Sequence, residues 1–134
     1  MPFHQGRLID HVELVVRDLE ASRRFYEAVL GAIGRSITFE GQGIFAADEL
    51  CVAQGEAISH LHLAFQAADR DTVHRFHAAA LAAGGRDNGG PGERHYHPGY
   101  YAAFVLDPDG NNIEAVYHGP TVRSADSVVV DDVR

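Results

Sequence analysis

A single cysteine, Cys51, among 134 residues cannot close an internal disulfide or build a cysteine-ligated zinc centre. Any metal would have to take His, Asp or Glu ligands. Basic residues are also scarce: 11 against 19 acidic ones leave a formal charge of −8. That balance repels phosphate backbones and anionic lipid surfaces, which argues against nucleic-acid and membrane partners. No stretch approaches the roughly 18 apolar residues of a membrane span, and the opening Met1-Pro2-Phe3-His4 lacks the apolar run of a secretory signal. A soluble, cytoplasmic protein is expected. The length suits one domain and is too short for two, and at 46% hydrophobic the chain can bury one core. What is plentiful is histidine, with nine residues available as ligands, acids or bases.

The chain repeats itself. Sliding it by 51 residues lays 11–34 over 62–85 without a gap, pairing His11 with His62, Asp18 with Asp69, Arg24 with Arg75 and Phe25 with Phe76. Ala28, Leu30, Ala32 and Gly34 likewise meet Ala79, Leu81, Ala83 and Gly85. Eight identities in 24 positions exceed the roughly two that average composition supplies. Each copy opens on a β-branched, apolar strand (Ile9 to Val16, Leu61 to Ala67) and enters a helix behind an aspartate cap, Asp18 in the first copy and Asp69 or Asp71 in the second. Apolar residues at helical spacing follow, Leu19, Phe25 or Tyr26, Val29 or Leu30 and Ile33, then Val73, Phe76, Ala80 and Ala83, and glycines close both helices. Short strands separated by turn residues come next: 35–40, 44–47 and 50–54 in one copy, a stretch near Arg86-Asp87, 100–106 and 111–117 in the other. Each half therefore reads βαβββ. The division expected is module one over 7–55, module two over 59–118, together one domain over 1–118, with a polar tail over 119–134.

Strand alternation decides which side chains share a face. Val12, Leu14 and Val16 are apolar and turn toward the helix, leaving His11 and Glu13 on the other side. Leu63, Phe65 and Ala67 do the same in the second copy, leaving His60, His62, Ala64 and Gln66 opposite. In the last strand Glu114 falls on the face away from the helix, a charge within a sheet that needs a partner. His11, His62 and Glu114 thus offer a 2-His-1-carboxylate set suited to Fe, Mn, Zn or Ni, with positions left open for substrate. The competing reading is two hydrogen-bonded histidines and a wet, metal-free pocket lined by Glu114. In the loop from Asn88 to Gly99 and the strand after it, Arg94 is a candidate anion binder and His97 and Tyr101 candidate acids or bases. The same loop would otherwise simply close one end of the barrel. Glu13 is either a base beside the metal or a partner that orients a histidine ring.

The string Ile9-Asp10-His11-Val12-Glu13-Leu14-Val15-Val16-Arg17-Asp18-Leu19, His62 at the matching point of the second copy, and Asp107-Pro108-Asp109-Gly110-Asn111-Asn112-Ile113-Glu114 resemble the vicinal oxygen chelate superfamily over residues 8–118. That superfamily includes glyoxalase I, the bleomycin and fosfomycin resistance proteins and the extradiol dioxygenases. The resemblance implies an α+β fold in which paired βαβββ modules form an open, cup-shaped mixed β-barrel with helices outside. It also implies metal ligation by His11, His62 and Glu114 and pairing of two copies as a homodimer. Phe104 stands where the extradiol signature has a tyrosine, and a phenyl ring cannot hydrogen-bond a catechol oxygen. No second glutamate lies within Leu50-Cys51-Val52-Ala53-Gln54 to act as a fourth ligand. The expected function is a metal-dependent enzyme that chelates adjacent oxygens of a small substrate, with Arg94, Phe104 and His60 lining the substrate site. The alternative is a metal-free protein that sequesters a small molecule.

Overall fold

The computed structural model describes residues 2–133. In the first half β1 (Val12–Val16) leads into α1 (Leu19–Ala32), followed by β2 (Phe39–Gly41), β3 (Ile44–Ala47) and β4 (Leu50–Gln54). The second half repeats the plan with β5 (His62–Gln66), α2 (Arg70–Ala82), β6 (Arg86–Asp87), β7 (Gly92–Glu93), β8 (Tyr101–Leu106) and β9 (Asn112–Tyr117). The fold is mixed α+β, with two helices and two mixed sheets. In each half the first strand pairs in parallel with the last, β1 with β4 and β5 with β9, giving the orders β1-β4-β3-β2 and β5-β9-β8-β6, with β7 also on β8. That shared topology is the structural content of the 51-residue repeat.

Both helices start as their caps dictate. The Asp18 carboxylate accepts from Ala21 N–H at 3.1 Å, and that of Asp69 accepts from Thr72 N–H and from its hydroxyl, each at 2.7 Å. Asp71 lies inside the first turn of α2 and is not the cap. The repeat slips by one residue at the helix ends. Gly34 and Gly84, not Gly85, take the left-handed conformation, with φ of +81° and +97°. Arg35 N–H then bonds Leu30 O, as Gly85 N–H bonds Ala80 O, both at 2.8 Å. Gly85 has a different duty: a Cβ there would lie 2.7 Å from the Phe25 ring, so this glycine lets the two halves pack closely.

One core joins the halves. Leu14, Val16, Phe25, Tyr26 and Val29 from the first meet Val73, Phe76, Val105, Ile113 and Ala115 from the second. The contact runs through α1 and α2, not through a common sheet edge. A polar bolt reinforces it. The Tyr26 hydroxyl donates to Asp107 Oδ2 at 2.5 Å, and Asp107 also accepts from Asn111 Nδ2 and from the backbone N–H groups of Asp109 and Asn111, each at 2.9 Å. Asn111 in turn accepts from Leu61 N–H at 2.9 Å, tying this turn to the start of β5. Burial, and then the charge of Asp107, push the Tyr26 phenol well above its usual value, so it serves as a fixed donor.

The faces of the sheets away from the helices are left open. On the first, Glu13 and Phe39 are exposed, and Val15, Ile44, Ala46, Cys51 and Ala53 are half-buried. On the second, Ala102, Phe104 and Val116 form a separate small cluster with Tyr100 packed against it. From residue 118 to 133 the chain has no helix or strand, and Val128, Val129 and Val130 are exposed. Among the described residues, no helix is long and apolar enough to cross a membrane.

Candidate functional site

Glu114 is the organising residue. Strand register sets its main chain between Ala64 of β5 and Phe104 of β8, on the face away from α2. The small side chain of Ala64 leaves room for His62, two residues earlier on the same face, to lean across the diagonal of the ladder. His62 Nε2 lies 2.8 Å from Glu114 Oε1, while the other oxygen, Oε2, accepts from the Tyr100 hydroxyl. Glu114 is only 2% exposed, whereas the His62 side chain is 51% exposed. The result is a buried carboxylate with a solvent-facing imidazole at its rim.

The charge of Glu114 has no fixed counter-ion. All eleven basic residues of the chain are arginines, and among the described residues none of them bonds to Glu114. Burying a carboxylate without a cation is costly, and a hydroxyl and an imidazole compensate it only in part. An imidazole nitrogen beside a carboxylate oxygen is also the donor combination that borderline divalent ions take. The donor chemistry of His62 and Glu114 fits such an ion.

The third expected ligand lies apart. β1 begins at Val12, so His11 precedes the strand; it is exposed, and its Nδ1 lies 2.6 Å from Asp10 Oδ1. Among the described residues, no group of three or more His, Cys, Asp or Glu side chains is placed to hold an ion. His62 and Glu114 are brought together, and His11 of the same chain is not.

The other candidates divide between the two faces. Arg94 is half-buried on the site side, its guanidinium 5.3 Å above the Phe104 ring, donating to Gly90 O at 2.8 Å and Glu93 O at 3.3 Å. Among the described residues it has no carboxylate partner. The Phe104 ring lies 6.0 Å from that of His62 and forms the apolar wall. His97 Nδ1 lies 2.8 Å from Pro98 O and its Nε2 2.9 Å from His118 Nδ1, with the two rings stacked. Tyr101 points to the opposite side of the sheet, its hydroxyl 2.7 Å from His74 Nε2 and its ring 4.5 Å below the Arg70 guanidinium. Glu13 lies on the open face of the first sheet opposite Cys51. Burial, and then Glu13, push the Cys51 thiol upward. His60 is exposed in the segment leading into β5.

Two residues were missed by sequence reasoning. Tyr100, rather than Tyr101, reaches Glu114, and strand parity was the available signal, because 100, 102 and 104 share a face. His118, which follows β9, is exposed but partners His97. On α2, His77 is half-buried, with Nε2 2.9 Å from Asp87 Oδ1. An open depression of about 700 Å³ lies elsewhere, lined by Arg17, Gly43, Gln54, Gly55, Glu56 and Ile58. The Glu114 site lies on an open sheet face.

The sequence profile of the Glyoxalase/Bleomycin resistance protein/Dioxygenase superfamily matches residues 8–115. A glyoxalase/bleomycin resistance protein from Albidiferax ferrireducens T118 is similar in structure, with TM-score 0.70 and 31% identity over 81% of this chain and 98% of the other. A glyoxalase/bleomycin resistance protein/dioxygenase family enzyme from Burkholderia phytofirmans PsJN shares the fold with TM-score 0.61 and 23% identity, over 80% of this chain and 95% of that one. So does the fosfomycin resistance protein FosX from Mesorhizobium loti, with TM-score 0.61 and 22% identity over 88% and 96% of the two chains. Among curated proteins, none matches the sequence.

Proposed function

The chain belongs to the glyoxalase/bleomycin resistance protein/dioxygenase superfamily, and from that premise we propose that it is a metal-dependent enzyme acting on a small, oxygen-rich substrate. The observation that carries this reading is the buried Glu114 carboxylate, bonded to His62 and lacking any cationic partner among the described residues. Members of the superfamily often use divalent ions and often form dimers. His62 and Glu114 of one copy would hold the ion together with His11 of a second copy. The open edges of β1 and β5 and the two uncovered sheet faces support such a pairing, since each half presents half of a cup. In this reading the single domain spans 1–118, with modules 7–55 and 59–118, and 119–134 is a tail.

When bound, a divalent ion supplies Lewis-acid stabilisation of negative charge on vicinal substrate oxygens. The chain's own residues supply the rest. Arg94, without a carboxylate partner among the described residues, holds an anionic substituent of the substrate by charge-assisted hydrogen bonds. Phe104 forms the apolar wall and helps exclude water. His97 hands its proton along the His118 pair, and Glu13, arriving with His11 from the second copy, takes or orients a proton on the far side. His60 borders the mouth. Isomerisation, elimination, thiol transfer and dioxygenation all begin from this arrangement.

A second reading has one observation in its favour. Both Glu114 oxygens already have hydrogen-bond partners in His62 and Tyr100, a set that is closed without metal. It corresponds to a protein that sequesters a small anionic molecule without turnover.

The two readings separate on metal content. Protein purified without a histidine tag or added metal is expected to carry close to one ion per chain, and His62→Ala to carry none. No ion in the wild type, and none taken up on titration with Mn²⁺, Fe²⁺, Ni²⁺ or Zn²⁺, would leave the sequestering reading standing and remove the enzymatic one.

A further inference from the structure

We propose that Tyr100 is the positioning residue of Glu114: its phenol fixes one carboxylate oxygen and leaves the other to face His62 and an ion. The proposal rests on the metal reading above for its effect on an ion, and on the hydrogen bond alone for its effect on Glu114. Tyr100 precedes β8 and shares the site face with Ala102 and Phe104, so its ring lies over the cluster that those residues form with Val116. From there its hydroxyl donates to Glu114 Oε2, the oxygen that His62 does not use. A free glutamate side chain exchanges its two oxygens by rotating about the last bond. One that is bonded at both ends cannot.

The tyrosine is itself held from several directions. Its ring meets those of Tyr96, His97 and His118 edge-on, with centroids 4.9, 5.3 and 5.1 Å away. Its N–H bonds His97 O at 3.1 Å and its carbonyl accepts from Arg94 N–H at 2.9 Å. Just before it the backbone passes close to the end of β9. A Cβ on Gly99, where φ is +89°, would lie 3.3 Å from His118 O and 3.5 Å from the Gly119 Cα. The glycine and the His97–His118 pair dock this loop, and the docked loop aims the phenol. Burial, and then the hydrogen bond to Glu114, push the phenol above its usual value, so it remains a donor at neutral pH.

Neither neighbouring tyrosine takes this place. Tyr101 is turned toward α2, and Tyr96 lies at the exposed rim. The hydroxyl, not the ring, carries the role, so Tyr100→Phe removes it while keeping the packing.

The test combines an ion-affinity measurement with a metal-free one. Titration calorimetry with Zn²⁺ and Mn²⁺ on the full chain is expected to show Tyr100→Phe weakened about 10-fold or more, the usual size of losing a partner behind a metal ligand. Tyr96→Phe, which alters a neighbouring ring only, should stay within about twofold. Tyr100→Phe within twofold of wild type would overturn the proposal. In metal-free protein, proton NMR should show a slowly exchanging Tyr100 hydroxyl that disappears in Tyr100→Phe and shifts in Glu114→Gln. If the wild type takes up no ion, the metal reading fails by itself and this resonance decides the positioning role: a protected hydroxyl supports it, and its absence overturns it.

Discussion

Glu114→Gln is expected to lower metal affinity by two orders of magnitude or more while leaving the metal-free fold as stable as the wild type, or more stable. The two effects have one cause. A carboxylate that is 2% exposed and faces only a hydroxyl and an imidazole pays a desolvation cost that no fixed cation offsets. Glutamine keeps the shape and can accept from Tyr100 while dropping the charge, so the apo protein loses a liability. The ion loses its anionic ligand, for which a neutral amide is a poor substitute. A residue that weakens its own fold yet improves on replacement is held there for function. Thermal unfolding in chelator, run beside ion titration, reads both quantities. A marked loss of stability in chelator would show that Glu114 is a structural member of the sheet and would undercut its role as a ligand.

Asp107→Ala is expected to cost about 4 kcal/mol, the largest stability effect of any single polar substitution in the chain. Asp107 is 1% exposed and accepts four hydrogen bonds, from Tyr26, Asn111 Nδ2 and two backbone N–H groups. Alanine would leave several of these donors buried and unpaired, each costing about 1–3 kcal/mol unless water enters. Tyr26→Phe should cost much less, about 1 kcal/mol, because Asp107 keeps its other three donors. The comparison is informative because the bolt joins α1 to the β8–β9 turn and hence one half to the other. Chemical denaturation of the two variants checks it. Equal losses would mean that the Tyr26 contact alone carries the connection and that the turn closes without it.

The order of elements could be read from the sequence because each level pointed the same way. Asp18 and Asp69 cap helices whose apolar residues recur at helical spacing, and Leu14, Val16, Ile113 and Ala115 alternate as a sheet buried on one side requires. The pairing of His62 with Glu114 followed from the same parity. Three features escaped it. The first strand starts at Val12 rather than Ile9, since Asp10 and His11 bond to each other outside the ladder. β7 is a two-residue pairing inside the glycine-rich loop, too short for any pattern to reveal. Tyr100 lies an even number of residues before Phe104 and so shares its face and reaches Glu114, whereas Tyr101 alternates to the opposite side and meets His74. The position of His11 is a different matter. Repeat symmetry relates it to His62 in sequence, but within one chain the halves pack through α1 and α2, and among the described residues His11 does not join His62 and Glu114. Symmetry of sequence does not fix whether two equivalent strands meet in the same copy or in different ones.

Mixing two defective proteins tests whether the proposed metal site is shared between copies. His11→Ala and His62→Ala are each expected to bind no ion. Unfolded together in equal amounts and refolded, they should form mixed dimers with one intact site each, His11 coming from one copy and His62 with Glu114 from the other. Random pairing makes half of the dimers mixed, so about one ion per four chains should return. Recovery near that level is the predicted result. No recovery, with wild type refolded in parallel regaining its full complement, would contradict the shared site.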